Sequence, residues 1–299
     1  MNVFGHGWSE SYDGPGRRWV VYLKGCSYRC RWCANPEGLR AEHDLLFHAE
    51  RALHADAACP HGAVTDPGTG WRLDRTVCAA CPDAPCTDVW RHPAFARAGR
   101  GMPVDEVVSR AIGYKTLFEG HARGGVTFGG GEPTLQIDEL SEALARLRAA
   151  GIHTAVETSA GTGTFPRLIG EADHLICDLK CVSPALHREW TGADNAVALG
   201  NLAEAAQRQA GMTVRLTLVP GFNDAEDEVG RIASFLAGLA ARRASLDVQV
   251  LRMHHLAESK YRALGLDYPM AGAAAPTAER ARVLVELLSR GGVRAALQD

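Results

Sequence analysis

Three cysteines in close succession, Cys26-Ser-Tyr-Arg-Cys30-Arg-Trp-Cys33, carry the most specific chemistry in the chain. Thiolates at C-x3-C-x2-C spacing can wrap around one corner of a [4Fe–4S] cube and leave the fourth iron without a protein ligand, open to a small molecule. Zinc is the competing reading, but it normally takes four protein ligands, usually from C-x2-C pairs, and no fourth ligand stands near this run. Cys59, Cys78, Cys81 and Cys86 follow, and Cys177 and Cys181 complete a total of nine. In a reducing compartment an odd count fits metal or redox chemistry better than a disulfide framework. A cytoplasmic location is expected, because the first residues lack the apolar core of a signal peptide and no run of about 18 apolar residues could cross a bilayer.

The 299 residues are 46% hydrophobic and 22% charged, with a net charge of −3, which suits one large domain or two smaller ones. The near-neutral balance, without a long basic run, argues against bulk nucleic-acid binding driven by phosphate neutralisation. Of the 32 basic residues only Lys24, Lys115, Lys180 and Lys260 are lysines, so each is a stronger functional candidate than a lysine usually is.

The elements that must position these groups show in the hydrophobic periodicity. The run 18–24 reads as a buried strand leading straight into the first cysteines, and strand-length apolar runs recur at 125–128, 152–156, 174–179, 214–219 and 246–251. Helical spacing marks 104–118, 137–150, 195–209, 225–239 and 277–289, often behind a Pro, Asp or Asn start signal. This alternation predicts an α/β fold with a parallel sheet and helices outside it. Six such units suit an incomplete (βα)6 barrel rather than a closed eightfold one. The stretch 54–101 breaks the rhythm with cysteines, prolines and glycines. It is expected to be a small insertion whose fold depends on something other than an apolar core, leaving 1–53 and 102–299 for the barrel.

The three-cysteine run resembles that of the radical S-adenosylmethionine (SAM) superfamily. There the amino and carboxylate groups of SAM occupy the open iron, and reductive cleavage releases methionine and a 5′-deoxyadenosyl radical. Within the superfamily six segments resemble the activating enzymes of glycyl radical enzymes: Tyr12-Asp-Gly-Pro-Gly-Arg17, Leu23-Lys-Gly-Cys26, Trp32-Cys33-Ala-Asn-Pro-Glu37, Gly124-Gly-Val-Thr-Phe-Gly-Gly-Gly-Glu-Pro133, Asp178-Leu-Lys180 and Val219-Pro-Gly221. The likeness covers most of the chain. It implies that Gly130, Gly131 and Glu132 end the second strand, where glycine lets the backbone approach the SAM amino group. It also implies that Glu157, Thr158 and Asp178 end the next two strands, beside the SAM carboxylate and a bound monovalent cation, with Glu157 where the family usually has Asp. By the same resemblance Lys180 and Arg215 reach into the SAM site and His254 lies near the adenosine. Barrel active sites form at such strand ends.

Many activating enzymes carry a ferredoxin-like insertion with two C-x2-C-x2-C-x3-C-P runs, the fourth cysteine of each run ligating the other run's cluster. Here Cys59 resembles the end of a first run whose other cysteines are missing. Cys78, Cys81 and Cys86 resemble the start of the second, with Trp90 in its fourth place. The resemblance implies one auxiliary [4Fe–4S] cluster on these four cysteines, with a zinc knuckle as the alternative. Cys177, on an apolar strand, is expected to be a core thiol. Cys181 directly follows Lys180, where a thiol could return a hydrogen atom to a substrate radical, although strand alternation would turn residue 181 away from the face shared by 178 and 180.

Two functions follow. In the first, a reductant such as flavodoxin or ferredoxin supplies an electron and the radical takes hydrogen from a backbone glycine of a partner enzyme. In the second, the radical acts directly on a sugar-containing or peptide natural product, as an epimerase using Cys181 as hydrogen donor with Lys180 beside it, or as a dehydrogenase passing an electron to the auxiliary cluster. Likeness along the whole chain favours the activase. Ala34 where activases commonly have His, Gly129 where they commonly have Ser, and Cys181 favour direct chemistry. A simple electron carrier has no use for an incomplete cluster beside a SAM-type strand-end set.

Overall fold

The chain opens with β1 (Asn2–Ser9), antiparallel to β2 (Arg18–Leu23). It then lays down β3 (Gly125–Gly130), β4 (His153–Thr158), β5 (His174–Asp178), β6 (Gly211–Leu218), β7 (Asp247–Arg252) and β8 (Arg294–Leu297), each parallel to the one before, starting from β2. With the short strand Arg100–Gly101 on the far side of β1, nine strands form one sheet that stays open at both edges. This computed structural model describes every residue except 11, 82–84, 89–91, 121–122, 244–245 and 299, so Trp90 lies outside the described residues. The six strands expected from the sequence are β2 to β7, in the expected order.

Helices α1 (Val104–Gly113), α2 (Ile137–Ala149), α3 (Pro184–Thr191), α4 (Ala196–Arg208), α5 (Glu226–Arg242) and α6 (Ala278–Arg290) cover the sheet. The helix expected over 104–118 is broken at Tyr114, whose ring packs edge-on against Trp8 at 5.1 Å and Trp19 at 5.5 Å, and a second short helix, Lys115–Glu119, follows. Helix α3 is an addition to the expected set. Ser183 caps it by accepting from the Leu186 N–H at 3.5 Å, and Pro184 fits its first turn.

Strand alternation sorts the side chains. Val126, Phe128, Val156, Leu175, Cys177, Val214 and Leu216 face the helices and share one core with Leu140, Leu144, Leu202 and Leu236. Cys177 is therefore a core thiol, and burial raises its pKa well above the ordinary value. Residues 157, 178 and 215, on the opposite face, turn inward. The Tyr12–Arg17 loop lies against that inner face: Thr127 Oγ1 donates to the Asp13 carbonyl at 2.6 Å and Arg215 donates to the Tyr12 carbonyl.

The insertion is rooted upstream of residue 54, on an antiparallel ribbon of Asp44–Phe47 with Phe95–Ala98. It has a small apolar cluster of its own, including Phe47, Ala52, Val64, Cys86 and Phe95. Among the described residues no helix is long and apolar enough to cross a membrane.

Candidate active site

Strand β2 delivers the chain to Cys26, and the cysteine loop closes on itself where it began. Gly25 N–H donates to the Gly38 carbonyl at 2.9 Å and Cys26 N–H to the Leu39 carbonyl at 3.2 Å. Helix α3 holds the middle of the loop: the N–H groups of Arg29 and Arg31 donate to the carbonyls of Thr191 at 2.7 Å and Trp190 at 3.1 Å, and the Arg31 guanidinium stacks 4.7 Å from the Trp190 ring. Burial pushes the Cys26 and Cys30 thiols up to about 12 and Cys33 up to about 11, with Lys180 opposing each shift. Thiols so raised become thiolates at neutral pH only against a stronger positive charge, which a metal centre supplies.

The end of β3 meets this loop backbone to backbone. Gly131 N–H donates to the Leu23 carbonyl at 2.8 Å and Glu132 N–H to the Gly25 carbonyl at 2.7 Å. A Cβ at Gly131 would collide with the Gly25 carbonyl, and one at Gly130 would come within 2.8 Å of Leu23 backbone atoms. These glycines are required first by the join between strand end and cysteine loop.

Glu132 ties β3 to β4. Its Oε1 accepts from the Thr134 N–H (3.2 Å), Thr134 Oγ1 (2.6 Å) and Thr158 Oγ1 (2.7 Å); Oε2 accepts from the Ser159 N–H (2.8 Å) and Ser159 Oγ (2.6 Å). The other charged groups form two ion pairs, Asp178 with Lys180 at 2.8 Å and Glu157 with Arg215 at 2.7 Å. Burial pushes Glu157 up to about 7, with Arg215 opposing. Burial works against a charged Lys180, but Asp178 and the neighbouring thiols outweigh it and raise its pKa.

One cavity at the carboxyl ends of the strands gathers Cys26, Cys30 and Cys33 with Gly130, Gly131, Glu132, Glu157, Thr158, Asp178, Lys180, Arg215 and the rim residue His254. Trp32 walls it, 6.0 Å from the Lys180 ammonium, and Tyr28, Ser159 and Thr217 also line it. Sequence reasoning missed Tyr28 and Ser159; the only signals were their places inside the cysteine run and after the β4 end. The Tyr28 hydroxyl and Arg215 Nε are buried without a hydrogen-bond partner among the described residues. Three thiols, a carboxylate-seeking pair of cations and an unpartnered hydroxyl fit a cluster carrying a zwitterionic ligand.

Cys181 does not line this cavity. It is 1% exposed, packs with Trp32, Val219 and Phe222, and its thiol donates to the Ser183 carbonyl at 3.4 Å. Burial pushes it up to about 12. The strand ends at Asp178, before alternation could orient residue 181; it is the burial of Cys181 in this apolar cluster that keeps its thiol off the cavity lining.

A second cavity, in the insertion, is lined by Cys59, Cys78, Cys81 and Cys86. Asp74 caps the helix Arg75–Ala79 that carries Cys78, accepting from the Thr76 N–H at 2.8 Å, and the Ala63 N–H donates to the Cys59 sulfur at 3.3 Å. Burial, with Cys59 and Cys86 adding to it, pushes Cys78 up to about 11. Among the described residues no three His, Cys, Asp or Glu groups converge to hold a single metal ion.

A family model described as the radical SAM superfamily matches residues 20–233. The indoleacetate decarboxylase activating enzyme of Tractidigestivibacter scatoligenes is 31% identical over 299 residues, covering 95% of this chain and 93% of that one. The isethionate sulfite-lyase activating enzyme of Desulfovibrio desulfuricans is 34% identical over 270 residues, covering 87% and 85%. Among solved structures, Streptococcus suis SuiB bound to precursor peptide SuiA shares the fold, with a TM-score of 0.53 at 12% identity, covering 94% of this chain and 48% of that one.

Proposed function

The chain belongs to the radical SAM superfamily, and we propose that within it this protein is an activase that installs a radical on a backbone glycine of a partner enzyme. The observation that carries the reading is the single strand-end cavity in which the three cysteines meet the glycine, carboxylate and lysine set. A [4Fe–4S] cluster and SAM bound here would supply the radical chemistry: one electron from a reductant such as flavodoxin or ferredoxin would split SAM into methionine and a 5′-deoxyadenosyl radical able to take the glycine hydrogen.

Cys26, Cys30 and Cys33 would hold the cluster. Lys180 and Arg215 present positive charge to the SAM carboxylate, and their pairing with Asp178 and Glu157 keeps them oriented and the cavity near neutral. Glu157 and Asp178 are also the candidates for a monovalent cation. Tyr28 offers a hydroxyl with no hydrogen-bond partner among the described residues. His254 lines the rim, where it would meet the adenosine.

Cys59, Cys78, Cys81 and Cys86 would hold one auxiliary [4Fe–4S] cluster. In support, Cys59, Cys78, Cys81 and Cys86 line one shared cavity. With Cys181 turned into an apolar cluster, nothing in the cavity favours the epimerase reading.

Anaerobic reconstitution with SAM and reductant should yield 5′-deoxyadenosine, and Cys26→Ala should abolish it; SAM cleavage by the Ala variant would refute the cluster assignment. Addition of a glycyl radical enzyme should produce an organic radical visible by electron paramagnetic resonance. Iron should reach about eight atoms per chain, and about four with zinc would rule out an auxiliary iron–sulfur cluster.

A further inference from the structure

We propose that Glu37 is the positioning residue of the first cysteine loop, gripped by Lys24 and Lys260 and tied through them to the four cysteines of the insertion. The proposal rests on the two-cluster reading above. Glu37 closes the Trp32–Glu37 run and is buried, yet it does not line the active-site cavity.

Lys24, 1% exposed, donates to the Glu37 carbonyl at 2.7 Å and pairs with Asp44 at 2.8 Å, and Asp44 lines the cavity of Cys59, Cys78, Cys81 and Cys86. Lys260 binds the other end of the same residue, 3.1 Å from the Glu37 carboxylate. It also donates to the Ala34 carbonyl at 3.2 Å and Asn35 Oδ1 at 3.1 Å, the residues directly after Cys33. The short helix Glu258–Leu264 that carries Lys260 returns to the insertion at its far end. There the Ala263 carbonyl accepts at 2.6 Å from Arg75, which lies one turn before Cys78 and also donates to the Leu45 carbonyl at 3.1 Å.

Two separate routes thus run from the insertion to one residue just past Cys33, one from Asp44 in the cavity wall through Lys24 and one from Arg75 through the Glu258–Leu264 helix to Lys260. The Lys24–Asp44 pair is buried, so breaking it would leave an uncompensated charge, while Lys260, 38% exposed, holds the loop through three contacts rather than one. Two of the four lysines in the chain serve this grip. Freeing the loop would change the hydrogen bonding and solvent exposure of its thiols, which set a cluster's reduction potential.

The test compares the anaerobically reconstituted wild-type chain with Lys260→Met, Asp44→Asn and the conservative Lys260→Arg. Hydrogen–deuterium exchange of residues 26–39 should rise about tenfold in K260M and D44N, as expected for the loss of a charge-assisted hydrogen bond, and stay near wild type in K260R. The resonance signal of the reduced SAM-binding cluster should shift in the same two variants, and KM for SAM should rise while kcat changes less than about twofold. Cys78→Ser should raise exchange in the same loop. Unchanged loop exchange and an unchanged signal in K260M and D44N overturn the proposal, as does a uniform loss of thermal stability with no selective effect on residues 26–39. If the wild-type chain cleaves no SAM, the functional reading fails, while exchange in the metal-free wild type and variants still decides the grip on Glu37.

Discussion

Replacing Glu132 by Gln should damage the fold far more than its near-isosteric shape suggests. The residue is 1% exposed, and each carboxylate oxygen faces one backbone N–H, that of Thr134 on one side and of Ser159 on the other. Glutamine carries one carbonyl oxygen and one NH2 group, so either orientation sets a donor against a backbone donor. The hydroxyls of Thr134, Thr158 and Ser159 can rotate to accept, but a backbone N–H cannot. One buried amide left unpaired costs about 1–3 kcal/mol, and weakening the remaining charge-assisted bonds adds about 1–2 kcal/mol. The sum, about 2–5 kcal/mol, is a large part of the 5–15 kcal/mol typical of a folded domain. At about 2–4 °C per kcal/mol the melting temperature should fall by roughly 10 °C. Guanidinium unfolding of E132Q beside the wild type, both metal-free, should show a lower midpoint at unchanged m-value. A variant within about 1 kcal/mol of the wild type refutes the tie between strand ends. If that variant also lost SAM affinity, the carboxylate would be a ligand rather than a structural anchor.

Glu157, pushed up to about 7 from its ordinary 4.5 mainly by burial, makes folding take up a proton between those values. Stability should therefore fall as pH rises from about 4.5 to about 7 and level off above; Glu157→Gln should flatten about 3 kcal/mol of that slope, and superimposable stability–pH curves for variant and wild type would disprove the shift. Cys181→Ala should leave 5′-deoxyadenosine formation and glycyl radical yield intact while costing about 1 kcal/mol of stability; loss of turnover at unchanged stability would restore the donor role.

Residues whose type is dictated by local geometry were legible in the sequence. The cysteine run, the Gly130-Gly131-Glu132 turn and the strands β2 to β7 each carry a pattern that chemistry or periodicity demands. β1 and β8 carried none: β1 contains two glycines and faces outward at half its positions, and β8 is a short half-exposed stretch without a β-branched residue. The insertion read as coreless because its apolar residues are far apart in sequence and meet only through the 44–47 and 95–98 ribbon. The donors that hold Glu132 were illegible for the same reason. Thr134 and Ser159 are ordinary loop residues until the parallel pairing of β3 with β4 brings them to one carboxylate.

The departures from the activase pattern that pointed to different chemistry have packing causes. A Cβ at Gly129 would come within 3.0 Å of Glu157 Oε2, so the longer carboxylate at 157 occupies space that a side chain at 129 would need. In this chain the glycine at 129 leaves room for the Glu157 carboxylate, which faces Arg215 at 2.7 Å. Ala34 contributes its carbonyl to Lys260, a role that any side chain at that position permits. Cys181 fills an apolar cluster behind Trp32. Ala34 and Glu157 line the cavity, so these two changes reshape its wall beside the cysteines and Arg215, whereas the change at Cys181 is absorbed in packing outside it.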